Sequence, residues 1–139
     1  MRFVTFVCIL ILTQSCAGPK MAVSQMSKYN GTWIPIKQEM GGKTFPKAAF
    51  ETQKLILKDS TYTVIAESVD KGVVRVKDNK IDIYGKEGVN AGQHFTAIYK
   101  YENEQLIICY NLKGDSYPVS FETKPKTLLF LSVFQREIK

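Results

Sequence analysis

The side chains able to do chemistry are few in this chain and do not gather. The single histidine, His94, excludes a His-rich metal site, and Cys8, Cys16 and Cys109 lack zinc-ligand spacing. No Gly-x-Ser-x-Gly elbow marks a serine nucleophile. Gly85-Lys86-Glu87-Gly88-Val89-Asn90-Ala91-Gly92 is as rich in glycine as a phosphate loop. It lacks the lysine–hydroxyl pair that would open a helix, so it reads as a flexible rim loop. Glu102 with Glu104, and Asp78 with Asp82, fall in turns or on polar faces where water solvates carboxylates. No enzyme activity and no cofactor are expected. The aromatic residues are more telling. Tyr62, Phe95, Tyr99, Tyr101 and Tyr110 fall at strand positions whose parity matches the apolar face. Rings so placed either fill a core or line a pocket that offers stacking faces and a few hydrogen bonds.

The elements that carry these rings read as strands. Thr32 to Met40 is followed by Gln53 to Lys58, Thr61 to Ser68, Val73 to Lys77, Lys80 to Tyr84, His94 to Glu102, Gln105 to Leu112 and Thr127 to Gln135. Asp, Asn and Gly stand between the runs, with a turn placed at Asp70-Lys71-Gly72, as in an antiparallel meander. Phe45 to Glu51 can form a short helix between the first two strands, with Pro46 near its start. The reading is all-β, an eight-stranded antiparallel up-and-down β-barrel. A flattened two-sheet sandwich would show nearly the same pattern. Gly31 and the only tryptophan, Trp33, open the first strand, and Arg136 ends the last. In a closed barrel those strands pair antiparallel, which places guanidinium and indole together at one mouth. The inward face of the last strand stays open, because Leu128, Phe130 and Phe134 alternate with equally apolar Leu129, Leu131 and Val133.

Residues 1–15 read as a signal peptide: Arg2, then an apolar run from Phe3 to Leu12, too short to span a bilayer. Leu12-Thr13-Gln14-Ser15-Cys16 then has the form of a lipobox, which makes Cys16 the lipidation site and the mature N-terminus. Residues 16–28 read as a flexible tether and 29–139 as the barrel domain. Cys109 is then the last free thiol, set in an apolar run and expected to be buried and inert. The formal charge of +6 comes from 19 basic and 13 acidic residues that alternate along the chain, and arginine occurs only at positions 2, 75 and 136. A nucleic-acid surface would concentrate its basic residues, so no nucleic-acid partner is expected.

From Gly31 to Glu137 the order of small features resembles the bacterial lipocalin-like domain family, including the planctomycete-type paralogue group of unknown function. The matching pieces are Gly31-Thr32-Trp33, Gly42-Lys43 with Pro46, Leu106-Ile107-Ile108-Cys109-Tyr110, Pro118 with Phe121, Lys124-Pro125 and Arg136-Glu137. The resemblance implies an exported, often lipid-anchored barrel and says little about its ligand. The double-glycine and disulfide signatures of animal lipocalins are missing, so their pocket chemistry does not carry over. The expectation is a monomeric envelope lipoprotein, anchored to the membrane by lipid, whose barrel binds or carries a small apolar ligand. The alternative is a protein–protein interaction module, inhibitor-like or structural, acting through its rim loops.

Overall fold

The computed structural model describes residues 24–139. The expected signal peptide and lipid-bearing Cys16 lie outside those residues. Period-two alternation gives nine strands: β1 (Gly31–Met40), β2 (Lys43–Thr44), β3 (Lys54–Lys58), β4 (Thr61–Ile65), β5 (Val69–Lys77), β6 (Lys80–Glu87), β7 (His94–Glu102), β8 (Gln105–Asn111) and β9 (Leu129–Arg136). Eight of them close into one antiparallel barrel, because β1 pairs with β9 as well as with β3. The short β2 only folds back on the end of β1. Closure leaves the long strands no unpaired edge, which separates this fold from an open sandwich. The turns have the required chemistry: Gly41-Gly42 and Asn103-Glu104 both hold positive φ at their two central positions, as a tight twisted hairpin demands.

Three local readings change. The helix expected between the first two barrel strands is a single 3-10 turn at Lys47–Ala49, which buries none of its residues. Without an apolar face to pack, nothing extends it into a helix. The β4–β5 turn lies at residues 66–68, and Asp70-Lys71-Gly72 belongs to β5. Gly72 is demanded there by crowding: a Cβ would stand 2.1 Å from the Tyr84 carbonyl oxygen and 2.6 Å from the Tyr62 ring. Finally, the end of the expected tether belongs to the barrel. Ser24 accepts a hydrogen bond from the Met26 N–H and starts a 3-10 helix at Gln25–Tyr29, which buries Met26 and Tyr29 in the core.

A bulge decides what the first strand aims inward. The β1–β9 register shifts between Pro35 and Lys37, so the inward face passes from Trp33 and Pro35 to Gln38. Residues 112–128 cross the outside of the barrel. Tyr117 and Phe121 cover a second apolar cluster of Ile98, Cys109 and Leu131 on the outer faces of β7, β8 and β9. The last strand is therefore apolar on both faces for a reason: Phe130, Ser132 and Phe134 line the interior, while Leu131 lies under the crossing segment. Thr123 fastens that segment to the first hairpin, accepting from the Gly42 N–H at 2.8 Å and donating to Glu39 at 2.5 Å.

Candidate functional site

One end of the barrel is closed by stacked side chains. Trp33 is fully buried, and its indole N–H donates to the Tyr29 carbonyl oxygen at 2.8 Å. Trp33 and Arg136 face each other across the β1–β9 pair, and the guanidinium carbon lies 4.4 Å from the indole centroid. Its Nη1 donates to the Asn30 carbonyl oxygen at 2.6 Å. Gly31, with φ of 135°, leaves room for that group, since a Cβ would stand 2.6 Å from Nη1. The spacing of glycine, tryptophan and arginine is thus one closure device. Tyr99 and Tyr101 belong to the same end. The Tyr29 ring lies 5.6 Å from Tyr99 and 5.7 Å from Tyr101, and the Tyr99 hydroxyl reaches the Asp78 carbonyl oxygen at 3.4 Å. Tyr101 is half exposed outside the plug. These two rings pack on Tyr29 of the 3-10 helix and do not line the cavity described next.

Above this plug lies a cavity of about 190 Å³. Tyr62, Phe95 and Tyr110, three of the five aromatic residues singled out in the sequence, line it. Leu55, Leu57, Val74, Ile81, Ile83 and Ile108 supply apolar wall, and Met26 adds the plug's side chain. Burial, with the neighbouring Asp70 charge and hydrogen bond, pushes the Tyr62 hydroxyl well above the ordinary phenol range. Burial does the same to Tyr110, helped by Tyr62 and Cys109. Both rings stay neutral at physiological pH, and the Tyr62 hydroxyl already gives its proton to Asp70.

Two polar features of the cavity went unread in the sequence. Asp70 is only 6% exposed and lines the wall. Its Oδ2 accepts from the Tyr62 hydroxyl and the Asn90 side-chain amide, each at 3.1 Å, and its Oδ1 from the Asn90 backbone N–H at 3.2 Å. Asn90 comes from the glycine-rich loop, which is folded back and tied down. A Cβ at Gly85 would stand 1.8 Å from the Asn90 carbonyl oxygen, and one at Gly88 would stand 2.4 Å from that of Val69. Across the barrel Ser132 is fully buried, and its hydroxyl has no hydrogen-bond partner among the described residues. Asp70 shares the parity of Val74 within β5, a signal that disappears when Asp70-Lys71-Gly72 is read as a turn. Ser132 could be read only after the inward face of β9 was known.

Outside the barrel His94 sits 2.8 Å from Asp82 Oδ1 and stacks on Tyr84, while the Tyr117 hydroxyl donates to Asp82 Oδ2 at 2.6 Å. Burial raises the Asp82 carboxyl, but the bonds from Tyr117 and His94 and the charges of His94 and Arg75 outweigh it and hold the group below its usual range. Through Asp82 the Tyr117 hydroxyl pins the crossing segment to β6, beside His94 of β7. Cys109 is fully buried, and burial with the Glu39 charge pushes its thiol up to about 11. No group of three metal-ligating side chains gathers among the described residues. Comparison with protein-family models, with curated proteins and with solved structures finds no match.

Proposed function

We propose that this chain is a lipocalin-like, non-enzymatic lipoprotein of the bacterial envelope, monomeric and anchored through Cys16, whose barrel carries a small, largely apolar ligand. One observation carries the reading: an apolar cavity of about 190 Å³ inside a closed barrel, lined by Tyr62, Phe95 and Tyr110. A cavity of about 150 Å³ with apolar walls stays dry and admits a benzene-sized molecule, so the ligand here is of that order or slightly larger. The partner-binding alternative draws on the rim loops, and in the Gly85–Gln93 loop Asn90 is tied to Asp70 of β5 while its neighbours are exposed. Fold alone does not assign a carrier role, which is why the argument rests on the cavity. Titration with indole, followed by protein NMR, is expected to give saturable shifts at cavity residues and none in Ile108→Phe, which fills the space. Shifts that do not saturate, or that spread over the outer surface, would overturn the reading.

A further inference from the structure

Resting on that carrier reading, we propose that the cavity selects small amines: a cationic head at Asp70 and an apolar body against the aromatic and aliphatic walls. A carboxylate that is 94% removed from water is costly to maintain without a compensating charge. Three donors serve Asp70, from Tyr62 and Asn90, yet no lysine, arginine or histidine pairs with it among the described residues. Two carboxylate oxygens offer about four acceptor positions, so Oδ1, with its single bond from Asn90, keeps one for a further donor. An ammonium supplies both the donor and the missing charge. Lys54, the one cation lining the cavity, is already held by Glu137, so a carboxylate ligand would meet the unpaired Asp70 charge, and a hydrocarbon would leave Oδ1 unserved.

Ser132 points independently to a ligand with polar atoms. It lies in β9, across the barrel from β5, lines the same cavity, and is a fully buried hydroxyl without a partner among the described residues. Buried hydroxyls in folded proteins almost always find a partner, so an unserved one facing a cavity marks a place a ligand atom or ordered water fills. The folded loop supports the same assignment. Gly85 and Gly88 permit the backbone approach that holds Asn90 against Asp70, which fixes the carboxylate in one orientation before any ligand arrives.

The test titrates the protein with benzylamine, benzyl alcohol, benzoate and toluene, which share one ring and differ in head group, with affinities read by NMR. Benzylamine is expected to bind about tenfold or more tighter than benzyl alcohol or toluene, as one charge-assisted hydrogen bond provides, with benzoate weakest. Asp70→Asn keeps the size and removes the charge, and should bring amine and alcohol within about threefold of each other. If that variant does not fold, wild-type NOEs decide. Contacts from the benzylamine methylene to Tyr62 and Asn90 support the proposal, and contacts confined to Phe130 and Phe134 overturn it. Equal affinity for the four probes, or a preference for benzoate, overturns amine selection while the carrier reading stands. Saturable binding by none of them, toluene included, overturns the carrier reading and this inference together.

Discussion

Alanine at position 31 puts a methyl group where the Arg136 guanidinium lies. The added Cβ would stand 2.6 Å from Nη1, closer than side chains tolerate, so the guanidinium must leave the indole face or the backbone must shift. The φ of 135° adds its own strain for any residue with a Cβ, about 1–3 kcal/mol. Displacing the stack on Trp33 forfeits about 0.5–1 kcal/mol, the lower range for a cation–π pair, because Arg136 is exposed. Losing the bond to Asn30 removes about 1 kcal/mol more. Gly31→Ala should therefore destabilise the barrel by about 2.5–5 kcal/mol, and Arg136→Met by about 1.5–2 kcal/mol. In the double variant the arginine contribution is lost only once and the clash is gone. The two changes should couple by about 1.5–2 kcal/mol, well above the roughly 0.3–0.5 kcal/mol within which independent sites add. Urea unfolding followed by circular dichroism measures the cycle without relying on Trp33 emission, which Arg136→Met itself alters. Additive effects would show that the guanidinium does not occupy the space Gly31 leaves.

Ser132→Ala removes a buried hydroxyl that has no partner among the described residues and should raise the stability of the ligand-free protein by roughly 1 kcal/mol; a loss of that size in urea unfolding would mean the hydroxyl is bonded. Cys109 should react with thiol reagents only on unfolding, and Cys109→Ala should cost about 1 kcal/mol at neutral pH as a small packing loss. Because the folded thiol titrates near 11 and the ordinary value is 9.0, its contribution is fully present below pH 9 and is lost as pH rises through 11. Urea midpoints at pH 8 and pH 11 should accordingly fall less in Cys109→Ala than in the wild type, and equal falls would contradict the burial argument. Metabolic labelling with a fatty-acid analogue should mark the wild type and leave Cys16→Ser unmarked, whereas equal labelling would remove the anchor from the proposed function.

The barrel was legible in the sequence because its strands carry period-two patterns and its turns carry the residues that turns require. The alternation of β7 and the Asn103-Glu104 hairpin are examples. Trp33 and Arg136 could be placed together by counting strands, since closure leaves the first and last no other partner. The failures share a physical cause: residue types that signal a turn or a linker also serve close packing. Gly72 reads as a turn residue, but it is there to let the Tyr62 ring cross β5. Gly85 and Gly88 read as flexibility and instead bring Asn90 onto Asp70. Met26 and Tyr29 lie three residues apart in a stretch otherwise resembling a tether, a spacing too brief to stand out as a plug. The inward aim of Gln38 rests on a bulge at Ile36, which local pattern does not encode. For the cavity itself, the inward parity of Tyr62, Phe95 and Tyr110 agrees with their place in its wall. Parity could not separate Tyr99 and Tyr101 from them, because depth along a strand has no period.

Native mass spectrometry of the protein purified from its own cells tests the carrier claim most directly. The account predicts, on the folded chain, one non-covalent adduct of small mass that dissociates on unfolding and is absent from Ile108→Phe. A bare folded chain in every charge state, with no adduct regained on incubation with a cell extract, would contradict it.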